Sequence, residues 1–180
     1  MPGPTLQTRD CLLVFAPALA IKALIIFWCI PELMHGLAPH YGLNSFVDLY
    51  DAVARNLADG RGYRFSPDTA PSLMREPGYP VFLSILFRIF GYGLAPAQCA
   101  NLLLSLLAAW GVLRLLRRFS GSRCVLLAGP LLFLFHPATI IAESRGGYEL
   151  LFMALLVWFM VTFLSALEGE CERSPEKAGI

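Results

Sequence analysis

The stretch LAPAQCANLLLSLLAAWGVL, Leu94 to Leu113, contains no charged residue. About 20 consecutive apolar residues are enough to cross a bilayer as a helix. The hydrocarbon core offers no water to backbone N–H and C=O groups, so a spanning segment must pair them internally. This run therefore makes an all-α, polytopic membrane protein the expected fold class. Composition agrees: 57% of the chain is hydrophobic and 15% is charged, against roughly a quarter charged in a soluble domain.

Toward the C-terminus, Arg114, Arg117, Arg118 and Arg123 cluster around a short connection. Two further apolar runs follow, at 124–142 and 150–167, with Pro130 and Pro137 as expected kinks. The first apolar run, 11–30, is broken only by Lys22. A signal peptide would want net positive charge, a shorter core and a small-residue cleavage site. Arg9 is balanced by Asp10 and the run ends Ile30-Pro31-Glu32, so a retained helix is expected. Lys22 is expected to face other helices, because a charge in lipid is costly. Four spans result, at about 11–30, 94–113, 124–142 and 150–167, within one membrane domain, 1–167. Arginine in short loops stays cytoplasmic. Both termini, including a tail at 168–180 expected to be disordered, then lie in the cytoplasm, and the loops at 31–93 and 143–149 face outward.

The outward loop carries most of the polar residues. Within it, 45–59 reads as an amphipathic helix: Phe46, Leu49, Tyr50, Val53 and Leu57 share one face, Asp48, Asp51 and Arg55 the other. Ser45 is the expected N-cap and Gly60 the stop. Such a helix could lie on a membrane surface. The apolar segment 78–90, interrupted by Arg88, is too short to span and reads as interfacial. Gly60-Arg61-Gly62-Tyr63 follows a helix instead of opening one, so it reads as a turn and not a phosphate loop.

A net charge of +1 without interleaved aromatics argues against nucleic acid as a partner. The five cysteines are scattered and support neither a disulfide framework nor a zinc site. Chemistry falls to the outward carboxylates, Asp48 and Asp51 in the loop helix and Glu143 and Glu149 before the last span. A carboxylate at the membrane boundary could act as general base on a hydroxyl or hold a divalent cation. Each also has a structural reading: Asp48 in a capping box, Asp51 paired with Arg55, Glu149 favoured by a helix N-terminus. Arg75, Arg88 and Arg145 could grip a lipid phosphate or snorkel to headgroups. His136 reads as a packing residue.

The run Tyr50-Asp51-Ala52-Val53-Ala54-Arg55-Asn56-Leu57-Ala58-Asp59-Gly60-Arg61-Gly62-Tyr63, then Pro77-Gly78-Tyr79-Pro80-Val81-Phe82-Leu83 and Phe90-Gly91, resembles the GT-C polytopic membrane glycosyltransferases. It is most similar to bacterial members related to protein O-mannosyltransferases and lipid A aminoarabinose transferases. Gln98, the arginine-rich turn, His136-Pro137 and Glu149-Leu150-Leu151-Phe152 keep the same order, so the resemblance covers about 11–167. It implies transfer of a sugar from a polyprenyl-phosphate-linked donor to a lipid, glycan or protein hydroxyl outside the bacterial cytoplasmic membrane. It also implies a loop acid as catalytic base, Asp48 or Asp51 here, and a second acidic site at Glu149. Family members carry many more spans, so the chain corresponds to the N-terminal portion of such an enzyme. A non-catalytic membrane scaffold or assembly subunit is the alternative.

Overall fold

A computed structural model describes residues 8–30, 50–71 and 75–177, with side chains over 15–169 of these. All regular structure among the described residues is helical: α1 (Thr8–Leu24), a π-helical turn (Ile25–Cys29), α2 (Tyr50–Ala58), α3 (Gly78–Phe90), α4 (Leu94–Phe119), α5 (Arg123–Leu134), α6 (Pro137–Arg145) and α7 (Glu149–Lys177).

Among the described residues, α4 and α7 are each long and apolar enough to cross a membrane. The 26 residues of α4 rise about 39 Å at about 1.5 Å each. α5 and α6 form a third candidate span if the pair, bent by 43°, is taken as one. The four expected spans are thus supported as two or three. In the first run, the described apolar helix Phe15–Cys29 is shorter than a full span.

The break between α5 and α6 has a local cause. Pro137 has no N–H to donate and its ring crowds the preceding turn. The residue before proline is pushed toward extended backbone, and His136 sits at φ −62°, ψ 131°. Pro137 then occupies the first turn of α6, where the missing N–H costs nothing. His136 caps that turn, its Nδ1 accepting from Ala138 N–H at 3.3 Å. Gly146, at φ +66°, ends α6 in the left-handed region. The expected kink at Pro130 differs: α5 runs through Pro130, which is buried, and the chain bends at Pro137 instead. α7 also continues as helix to Lys177, beyond the expected end at 167 and into the tail expected to be disordered.

α4 is the central element and packs on α7, α5 and α6. Small residues let the backbones approach. A Cβ added at Gly111 would come 2.5 Å from Val157 Cγ1. Trp158 Nε1 donates across to Leu107 O at 3.0 Å. At the arginine-rich end, Arg118 ties α4 to α7 by donating to Val161 O, Ser165 Oγ and Glu168 Oε1.

α2 and α3 form a second layer over the start of α4. Tyr50, Ala54, Tyr79, Leu83, Phe87 and Ala97 make its buried core, with Leu151 of α7 packed against it. The apolar face expected on the loop helix is thus turned onto α3. Asn56, also buried, fits that face because its Nδ2 donates to Arg64 O at 2.9 Å.

Candidate functional site

The turn between α6 and α7 is held by side chains distant in sequence. Asn101 Nδ2 donates to Ala142 O (3.2 Å) and Gly147 O (2.9 Å). Gln98 Nε2 donates to Ser144 O at 2.9 Å. Tyr79 O–H donates to Gly146 O at 2.6 Å. All three side chains are buried, so each satisfies a carbonyl that would otherwise lack water. Gly147 must stay small: a Cβ there would lie 3.2 Å from Ala142 Cα and run into the Glu149 carboxylate.

This turn borders a cavity of about 750 Å³ between α5, α6 and the start of α7. Its walls are largely apolar, from Leu132, Phe133, Ile141, Leu150 and Met153 among others. Polar groups come from His136, Thr139, Arg145, Tyr148 and Glu149. An apolar cavity with few convergent polar groups is the usual form of a small-molecule site. Arg145 makes no ion pair or side-chain hydrogen bond among the described residues.

The loop layer meets the cavity through tyrosines. The Tyr50 ring lies 5.1 Å from Tyr148, which lines the cavity, and 5.7 Å edge-on from Tyr79. Tyr50 O–H donates to Glu76 Oε2 at 2.5 Å, and the Arg75 guanidinium lies 5.6 Å over the same ring. Burial raises the Tyr50 hydroxyl above the usual tyrosine range, and the Glu76 carboxylate adds to this. The hydrogen bond from Tyr50 in turn holds the Glu76 carboxyl below its ordinary value.

The expected site residues therefore separate. Arg145 and Glu149 share the cavity. Glu143, expected in an outward connection, instead lies inside α6, fully buried, with Lys22 Nζ 2.7 Å from its Oε1. It is a buried partner of α1, and Lys22 faces other helices as expected. Asp51 accepts from Tyr92 O–H at 2.9 Å, while Arg55 stacks over the Tyr92 ring instead of pairing with Asp51 directly. Arg88 donates to Ala58 O and Leu57 O, closing the C-terminal end of α2. Asp48 and Ser45 lie outside the described residues. No cluster of three or more metal-ligating side chains occurs among the described residues.

Sequence reading passed over Thr139, and it took His136 for packing. The available signal was His136-Pro137 itself, since a pre-proline residue in an apolar run marks a helix end where polar groups collect. Compared with family models, with characterised proteins and with solved structures, the chain matches none.

Proposed function

We propose that this chain belongs to a membrane glycosyltransferase of the GT-C type, acting at the outer face of the bacterial cytoplasmic membrane. The donor is a polyprenyl-phosphate-linked sugar and the acceptor a hydroxyl of a lipid, glycan or protein. One observation carries the reading: Arg145 and Glu149 line a single apolar-walled cavity of about 750 Å³. An isoprenoid chain fits apolar walls, a guanidinium fits phosphate, and a carboxylate fits sugar or acceptor hydroxyls.

In the reaction, the acceptor oxygen forms a bond to the anomeric carbon. The bond from that carbon to the phosphate oxygen breaks, and polyprenyl phosphate leaves with the electron pair. A carboxylate takes the hydroxyl proton. Asp48 is assigned that role and Arg145 offsets charge growing on the leaving phosphate. Arg75 stands beside Tyr50 and Glu76 at the loop layer and is a second candidate for that charge.

A second reading, a non-catalytic membrane scaffold that binds the same lipids, is favoured by Asp51. Its carboxylate is occupied by Tyr92, as a structural residue's would be.

The test is release of polyprenyl phosphate from a polyprenyl-phosphate-linked sugar, followed by mass spectrometry in membranes of the encoding strain. Asp48→Asn is expected to slow release by about 100-fold or more. Undiminished release in a strain lacking the chain removes the enzyme reading. Loss on deletion without loss in Asp48→Asn moves the base elsewhere.

A further inference from the structure

Two polar groups in the cavity have no role in the fold that uses up their hydrogen-bonding capacity. Thr139 is 7% exposed and lines the cavity, yet its hydroxyl has no hydrogen-bond partner among the described residues. The oxygen is not among the buried unsatisfied atoms, so it opens onto the cavity and is free to pair with what enters it. His136 is constrained from the other side. A neutral imidazole has one donor and one acceptor nitrogen. Nδ1 accepts from Ala138 N–H at 3.3 Å, so the proton sits on Nε2, and the ring offers a donor beyond the cap.

His136 and Thr139 stand three residues apart across the first turn of α6, a spacing that puts them on one side of the helix. Arg145, at the other end of α6, lines the same space. Glu149 adds one negative charge, so the cavity's charged side chains cancel. Little is then left to offset desolvating an anion in an apolar-walled cavity, a cost that rises as the square of its charge. A singly charged phosphate diester is therefore tolerated better than a doubly charged monoester.

We propose that His136 and Thr139 join Arg145 in binding one phosphate group, and that Glu149 makes the site select a phosphodiester over a phosphomonoester. On the glycosyltransferase reading, on which the identity of the ligand rests, this means the charged donor is held and the spent polyprenyl phosphate is expelled. The donors hold the diester's two free oxygens. After transfer the phosphate gains a charge, and Glu149 repels it.

The probes are farnesyl phosphoglucose as diester, farnesyl phosphate as monoester, a short-chain phosphatidylglycerol and inorganic phosphate. Each is titrated at pH 8 against the full chain in phosphatidylcholine nanodiscs. The diester is expected to bind about tenfold more tightly than the monoester. Thr139→Val, which keeps shape and removes the hydroxyl, is expected to weaken diester binding about tenfold. His136→Ser keeps a good N-cap and is expected to do the same. Glu149→Gln is expected to erase the preference by improving monoester binding.

Diester affinity unchanged in both Thr139→Val and His136→Ser overturns the proposal, as does a monoester bound as tightly as the diester. So does inorganic phosphate binding as tightly as the farnesyl probes, because no lipid chain is then read. If phosphatidylglycerol equals farnesyl phosphoglucose and both weaken in the variants, the phosphodiester site stands and its source is bulk lipid. Weakened binding without any sugar turnover supports this site and sinks the glycosyltransferase reading. Turnover with unweakened binding does the reverse. A variant that merely misfolds loses its melting transition, which Thr139→Val is expected to retain.

Discussion

Lys22 Nζ lies 2.7 Å from Glu143 Oε1, and both side chains are essentially inaccessible. Ser105 of α4 completes the group, 3.4 Å from the lysine nitrogen. An ion in an apolar interior is strongly unfavourable alone, so each charge makes the other tolerable. The pair joins α1 to α6, while Ser105 brings in α4. It is also what lets α1 carry a lysine within an otherwise apolar run.

Removing one member should therefore hurt more than removing both. Lys22→Met or Glu143→Gln is expected to destabilise the protein by about 3–5 kcal/mol, because it strands a buried charge. The double variant Lys22→Met/Glu143→Leu should recover most of the loss. Thermal unfolding in detergent reads this, and equal loss in single and double variants would falsify it.

Asn101 closes two carbonyls of the α6–α7 turn. Asn101→Leu leaves Gly147 O without its donor, at about 1–3 kcal/mol, while Ala142 O keeps the Gly146 and Gly147 N–H groups. The expected readout is faster hydrogen exchange across residues 142–149, with α7 beyond Leu156 unchanged. Uniform loss of protection along α7 would mean that Asn101 supports global packing and not this turn.

Close contact of α4 and α7 depends on Gly111. Gly111→Val is expected to destabilise by about 1–3 kcal/mol through overpacking against Val157 and Trp158. Adding Val157→Ala should relieve part of that. An unaltered melting temperature in Gly111→Val would show that the helices sit farther apart.

The Tyr50–Glu76 hydrogen bond predicts acid sensitivity of the loop layer. Glu76 is held below its ordinary carboxyl range, chiefly by the bond from Tyr50. A carboxylate with a depressed folded-state pKa adds stability above the unfolded value, about 4.3, and loses it as pH falls through the folded value. Tyr50 fluorescence or loop exchange should therefore change below about pH 4. Tyr50→Phe should move the Glu76 titration upward, and an unmoved titration would break the assignment.

Legibility in the sequence followed the range of the interaction. The break at Pro137, the turn at Gly60 and the apolar length of α4 depend on neighbours within a helical turn or on composition, and all three are readable directly. That Lys22 faces other helices follows from the cost of a charge in lipid, but nothing local names Glu143 as its partner. Arg88 shows the limit from the other side: its position beside apolar residues is compatible with a phosphate, yet the docking of α2 on α3 places the α2 carbonyls in its reach.

The chain's own residues determine that the described segments are helical and that two are of membrane length, because apolar runs of about 20 residues in lipid pair their backbone within the segment. Only the tertiary structure decides that Leu94–Leu113 is the central element of the bundle. It also decides that α6 bends from α5 by 43°, so that His136, Thr139, Arg145 and Glu149 share one cavity. Those outcomes depend on which carbonyls Gln98, Asn101 and Tyr79 meet across the fold. Such contacts are set by helix docking and the angle at His136-Pro137, neither of which is written in local periodicity.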